Sequence, residues 1–528
     1  VFLSAVRQQL VLYLSQRIDL PLMLGYFQHV FRLPINFFAN RKIGDITTRF
    51  QDAFVIKNIL TSAMLTIIID VALAVITAVI MAVMSWKLFL VILVITILSA
   101  VLIYSYKGVY KRLNKKQMEQ NARLNANIIE SLKGVETIKA NSYERNIIDK
   151  VENEYVKSLK IAFSQGLHSN IQNSFSQAIA GVGNIVLMAL GVLFAINGDI
   201  TMGTVLAFFT IAGYFMEPIG RLIELQLSIQ EAGISLKRLS EIQEIDEEEI
   251  AEKKRKEINK IDENITIKNL TFRYGSRRPV LKNINLEIPK GQKVAIVGPS
   301  GSGKTTLSKL LLKFYKTEEG EIFFGDNEIS TLNAFSLREC IGYVPQNIET
   351  FSGTIIDNIR IGKEDATVEE IQNICEATGC GSFINIMPFG YDTFLDETGG
   401  GLSGGEKQRL ALARALIKKP KFVILDEATS NLDFNTENEV FKLLFEKQKN
   451  TTMLIIAHRL GTIRNCDRIY VFDNGTVAES GTHESLLRQK GLYYKLWLMQ
   501  IGTSRARNQE QKTEKKVQGI KEENIIEY

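Results

Sequence analysis

The run Lys293 to Leu312, KVAIVGPSGSGKTTLSKLLL, sets Gly298, Gly303, Lys304 and Thr305 at the spacing G-x-x-x-x-G-K-[ST] between a predicted buried strand and a predicted helix. This pattern is a phosphate-binding loop. Glycines allow the backbone of Gly298, Pro299, Ser300, Gly301, Ser302 and Gly303 to curl so that its N–H groups surround phosphate oxygens. Lys304 neutralises the terminal phosphates and Thr305 offers its hydroxyl to Mg²⁺, while Thr306 sits in the first turn of a helix whose dipole favours an anion. Further on, FVILDE (Phe422 to Glu427) is an apolar strand ending in two carboxylates, expected to lie beside the strand that feeds the loop. Asp426 would hold Mg²⁺ through water. Glu427, on the other side of the strand end, is placed to orient or deprotonate an attacking water, the alternative being a solvated strand-end acid.

A third motif, LSGGEKQR at Leu402 to Arg409, runs on into LALARAL. Ser403, Gly404 and Gly405 open a helix whose N-terminal N–H groups can address a phosphate. On these residues the chain resembles the ABC transporter family, and the resemblance implies an ATPase in which this helix faces the γ-phosphate of ATP held by a partner subunit. It also implies roles by position. Tyr274 in FRYG stacks on adenine, Gln346 in VPQN senses Mg²⁺, His458 in IIAHR contacts the γ-phosphate, and Asp433 in SNLD belongs to the adjoining loop. Glu427, His458 and Lys304 then form the catalytic set, with ATP and Mg²⁺ as ligands and Thr305, Gln346 and Asp426 around the metal. Glu406 stands where many family members carry glutamine; activity is expected to survive this.

These motifs need a soluble α/β domain to hold them, yet the apolar residues, 46% of the chain, concentrate before about Ile223. Leu88 to Tyr106 is uncharged and long enough to span a bilayer. The expected spans are about 1–14, 59–86, 88–106, 176–198 and 200–223, five visible of an expected six, with a first helix missing from the start. Arg17, Arg32, Arg41, Lys42, Arg49 and Lys57 in one connection, and Lys107, Lys111, Arg112, Lys115 and Lys116 after Tyr106, place those segments in the cytoplasm. The short connections at 85–87 and 197–203 become outward hairpins. Long cytoplasmic helix extensions should bend near Phe37 and Asn141.

The whole reads as a multidomain protein: an all-α polytopic membrane domain (1–243), a solvated linker (244–262) of acidic then basic residues, an α/β P-loop ABC ATPase domain (263–502) and a disordered tail (503–528). A net charge of +5 spread over 63 basic and 58 acidic residues gives no support to nucleic-acid binding. The four cysteines, none before Cys340, read as buried thiols in a reducing compartment.

Spans and ATPase on one chain resemble an exporter half-transporter, which implies a homodimer or heterodimer with a second half. The stretch Tyr13 to Ala53 is similar to peptide exporters that secrete bacteriocins or competence peptides, implying a multi-pass protein of a bacterial plasma membrane with its ATPase in the cytoplasm. Many such exporters carry an N-terminal cysteine protease domain; without a cysteine before Cys340, that cleavage is not expected of this chain. Lipid or drug export, and a membrane-anchored ATPase that moves nothing, are the alternatives. Asp70, inside a span, is expected to serve helix packing more than substrate contact.

Overall fold

The computed structural model describes residues 2–500 except 42, 60, 62–63, 249–251, 253–254, 397–398, 429–433 and 458. Two compact units emerge: a helical one comprising the described residues of Val1–Leu33 and Phe37–Glu247, and an α/β one containing Pro34–Asn36 and the described residues from Glu248 on.

In the helical unit, α1 (Phe2–Phe31) is followed by the short α2 (Ile35–Asn40), then α3 (Ile43–Asn58) and α4 (Met64–Met84). After these come α5 (Trp86–Lys133), the short α6 (Val135–Ala140), α7 (Glu144–Ile196) and α8 (Met202–Gln243). Among the described residues, four helices are long and apolar enough to cross a membrane: Ile67–Met84, Met202–Leu222, and stretches within α5 and α7. Helix α1 runs unbroken well beyond the 1–14 expected of a span, and it is not one of those four. At 1.5 Å per residue, the 48 residues of α5 extend about 72 Å, more than twice a ~30 Å hydrocarbon core, so its second half must project into water.

Composition along the α5–α7 seam follows that change of solvent. Over the apolar stretch, Gly183 of α7 lets Ile95 approach so closely that a Cβ would lie 2.6 Å from its Cδ1. Further along, the contact becomes polar: Gln165 donates to Asn114 (2.6 Å), Gln117 to Ser158 (2.7 Å), and Gln120 to Glu154 (2.6 Å). Ser85 caps α5 and Thr201 caps α8 with side-chain oxygens, ending the two short connections. Lys87 bonds Asp199 at 2.9 Å, so both connections lie at one end of the unit, as two hairpins on the same side require.

Asp70 is fully buried on α4 and accepts two bonds from Arg221 of α8, at 2.9 Å from Nε and 2.7 Å from Nη2. The intramembrane acid therefore serves helix packing through an ion pair whose partner lies 151 residues away.

The α/β unit holds two main sheets. An antiparallel sheet has the order β2 (Leu281–Ile288), β1 (Ile265–Phe272), β4 (Glu319–Phe324), β5 (Asn327–Glu328). The second sheet runs β12 (Thr476–Gly481), β11 (Arg468–Asp473), β3 (Lys293–Val297), β10 (Thr452–Ile456), β9 (Phe422–Asp426), β6 (Ile341–Val344), and a minor pair joins β7 (Gly353–Thr354) to β8 (Phe394–Leu395). From β11 to β6 the second sheet is parallel, and every residue of β3, β9 and β10 is buried, which is why their interiors, VAIV, FVIL and MLII, are continuous apolar runs.

Two expectations change here. Strand β9 does not lie beside β3: β10 sits between and pairs with both, because TMLII is as apolar as its neighbours and fills a doubly covered position. Nor is the stretch 244–262 solvated throughout. Glu252 is 5% exposed, accepts from Lys313 Nζ at 3.0 Å and from Ala334 N at 2.9 Å, and Ile261 joins the core. An acidic residue in a charged run was bound for a buried lysine.

Candidate functional site

Strand β3 delivers the chain at Val297 to the glycine loop, and Lys304–Leu311 continues it as a helix. Gly298 has φ +150°, and a Cβ there would stand 2.1 Å from the carbonyl oxygen of Phe472. Gly303 has φ +100°, with Leu281 Cδ2 2.5 Å from any Cβ. Only glycine satisfies both the conformation and the space. The curled loop wraps Lys304, whose ammonium donates to the carbonyls of Gly298 and Pro299, each at 2.9 Å. Burial lowers the Lys304 pKa, against the pull of Glu427 and Asp426.

At the end of β9, Asp426 is fully buried and receives Thr305 Oγ1 at 3.1 Å and Ser308 Oγ at 2.9 Å. Burial raises its carboxyl pKa, and the two hydroxyls oppose the rise. Glu427 follows with φ +51°, a left-handed conformation that costs a non-glycine residue of order 1 kcal/mol. Its N–H is held by Ile456 O at 2.9 Å, and its carboxylate accepts from Gln346 Nε2 at 2.8 Å. The backbone turn sends two adjacent acids different ways: one into the buried hydroxyls, the other towards Gln346 and the exposed rim.

Lys304, Thr305, Asp426, Glu427 and Gln346 are thus one connected set. Tyr274 meets it at the edge, its hydroxyl 3.3 Å from Thr306 Oγ1 and its ring edge-on to Phe272 and Tyr315 at 5.0 and 5.1 Å. Ser403 caps the helix Gly404–Leu416. Its Oγ accepts from Glu406 N at 3.3 Å, and the Glu406 carboxylate accepts from Ser403 N at 2.7 Å and Oγ at 2.8 Å, a complete capping box. Asp433 and His458 lie outside the described residues. Ser308, which carries half of the support for Asp426, escaped the sequence reading. Its position three residues after Thr305, on the same helix face, was the available signal.

The loop fits a phosphate chain. Ser302 Oγ is buried without a hydrogen-bond partner, a lysine ammonium is held by loop carbonyls, and glycines keep the rim free of side chains. The oxygen donors near Thr305 are too few to cage a metal unaided. This suits a cation such as Mg²⁺, which keeps waters and takes ligands from phosphates. Among the described residues no group of three or more His, Cys, Asp or Glu could hold a metal.

Residues 1–219 match the profile described as ABC transporter transmembrane region, and residues 281–430 that described as ABC transporter. The lactococcin-G-processing and transport ATP-binding protein LagD of Lactococcus lactis subsp. lactis is 38% identical over 491 residues, 93% of this chain and 70% of that protein. The transport/processing ATP-binding protein ComA of Streptococcus pneumoniae is 36% identical over 492 residues, covering 93% of this chain and 68% of ComA. Among solved structures, a bacterial Atm1-family ABC exporter with ATP bound superposes with a TM-score of 0.82 at 28% identity, over 94% of this chain and 86% of that one.

Proposed function

The chain belongs to the ABC transporter family, and on that premise we propose that it is half of a peptide exporter, driving a bacteriocin-like or signalling peptide out of the cytoplasm with ATP. The observation that carries the reading is a single connected site of Lys304, Thr305, Asp426, Glu427 and Gln346 on a chain whose described residues also include four membrane-length helices. The peptide cargo is argued from the relatives named for lactococcin and for transport/processing. The basic connections and the Lys87–Asp199 pair at the opposite turns support a bacterial plasma-membrane protein with its ATPase in the cytoplasm.

In this reading the loop from Gly298 to Thr306 cradles the triphosphate, Lys304 neutralises its terminal charge, and Tyr274 lies against the adenine. Thr305, Gln346 and, through water, Asp426 hold Mg²⁺, which when bound draws charge off the phosphate oxygens. Glu427 orients or deprotonates the attacking water, released for that task from Gln346. His458 and Asp433 complete the site, and Ser403, Gly404 and Gly405 face ATP held by the second half of a homodimer or heterodimer. The capping box takes up the N–H groups of Ser403 and Glu406, so the N–H groups of Gly404 and Gly405 between them are the ones that would face the phosphate.

Substituting Glu427→Gln tests the assignment: ATP binding should persist while hydrolysis falls by about 10²-fold or more, the scale of general-base loss. Full hydrolysis in this variant would remove Glu427 from the role. ATPase stimulation by hydrophobic compounds and by no peptide would move the cargo to lipids or drugs.

A further inference from the structure

Across the apolar stretches 67–84, 88–106, 169–196 and 202–222, the charged residues are Asp70, Glu217 and Arg221. Arg221 joins both acids: Nε and Nη2 donate to Asp70, and Nη1 donates to Glu217 Oε1 at 2.5 Å. One cation therefore serves two carboxylates, which leaves a net charge of −1 at membrane depth. An uncompensated charge there is costly, and a functional counter-charge is the default explanation.

Glu217, 69% exposed at its side chain, lines a cavity of about 240 Å³ between α5, α7 and α8. Thr96, Ser99 and Ser176 bring hydroxyls to the same wall, several times larger than the ~30 Å³ share of one water. Hydroxyls in apolar helices normally bond back to a carbonyl three or four residues earlier, as Thr77, Ser105 and Thr210 do here. Thr96 does not, and its Oγ1 is buried without a hydrogen-bond partner. A carboxylate with surplus charge and an unused buried hydroxyl thus border one cavity.

We propose that this cavity is a cation subsite for the cargo, in which Glu217 receives an ammonium or guanidinium group and Thr96, Ser99 and Ser176 supply neutral oxygens around it. An anion would meet Glu217 with like charge, and an apolar group would leave the hydroxyls unpaired. The proposal rests on the export reading for its cargo, but the subsite can be tested without a peptide.

The test is binding of dansylcadaverine, a primary amine, and of its N-acetyl derivative to the full chain in lipid nanodiscs. The free amine should bind about tenfold more tightly than the acetylated probe, as one charge-assisted hydrogen bond provides. Glu217→Gln should abolish that preference, Glu217→Asp should keep part of it, and Thr96→Val should weaken amine binding severalfold. Unchanged elution and unfolding midpoint establish that the variants are folded. Equal affinity for both probes in the wild type, or a preference that survives Glu217→Gln, overturns the subsite. An amine preference governed by Glu217 alongside no ATP-dependent movement of any peptide retains the subsite and removes the peptide cargo. Peptide movement without the amine preference does the reverse.

Discussion

Removing one hydroxyl from beneath the candidate site should have a measurable, pH-dependent effect. Ser308 is fully buried, and its Oγ lies 2.9 Å from Asp426 Oδ2 and 2.8 Å from Thr305 O. A hydroxyl has one proton, and the buried carboxylate is the stronger acceptor, so the bond to Asp426 carries the energy. Hydrogen bonds to charged groups contribute about 1.5–3 kcal/mol, and Ser308→Ala leaves Asp426 only Thr305 among the two hydroxyls that support it. We expect a loss of about 2 kcal/mol, or roughly 4–8 °C in the unfolding midpoint of a domain of this size. Burial already raises the Asp426 pKa in the folded chain above its unfolded value, so ionisation there lowers stability as pH rises through the interval between the two. Losing Ser308 raises the folded pKa further and widens that interval. The deficit of Ser308→Ala should therefore be largest at neutral and alkaline pH and shrink on acidification, where the carboxyl is protonated in both states. The two tryptophans, Trp86 and Trp497, fall in different units, so thermal unfolding followed by fluorescence in a Trp86→Phe background reports the α/β unit through Trp497. An unchanged midpoint at pH 8, or a deficit that grows on acidification, would refute the reasoning.

Three further outcomes follow from the same geometry. Glu252→Gln strands the buried Lys313 ammonium and should destabilise the α/β unit by about 3 kcal/mol, with most of the loss recovered by adding Lys313→Met, measured by the same Trp497 melt. Asp70→Asn breaks the pair with Arg221, which is 36% exposed and keeps Glu217 as a counter-charge, so the effect should be nearer 2 kcal/mol than the ~3–5 of a fully buried pair, read as a lowered melting temperature in detergent; adding Arg221→Gln strands Glu217 and should not restore it. Glu406→Gln keeps an acceptor for the Ser403 hydroxyl and loses only a charge at a helix N-terminus, about 0.3–1 kcal/mol, so steady-state ATPase should stay within about fivefold, and restoration of an otherwise inactive chain would contradict this.

What the chain disclosed in advance divides along physical lines. The glycine loop, the paired acids and the Ser403 helix start were legible because each function depends on residues adjacent in sequence, where backbone geometry alone sets the relation. The reading failed where the relation is long-range. Nothing in FVILDE reveals that β10 inserts between it and β3, since the interiors of all three strands, VAIV, FVIL and MLII, are alike in being apolar. The pairing of Arg221 with Asp70 needs the packing of α8 on α4 and went unread. Charge runs mislead for a related reason: Glu248 and Glu252 look solvated beside other acids and lysines, yet Arg338 and Lys313 bind them. Glu427 in a left-handed conformation could not be foreseen from residue type, because glutamate has no preference for it.

The central claim is that hydrolysis at this site moves a peptide. Its most direct test is ATP-dependent uptake of a labelled, leader-containing bacteriocin-like peptide into inside-out vesicles containing the full chain, with Glu427→Gln alongside. The account predicts uptake that requires ATP and disappears in Glu427→Gln. Vesicles that hydrolyse ATP in a Glu427-dependent way yet accumulate no peptide would contradict it.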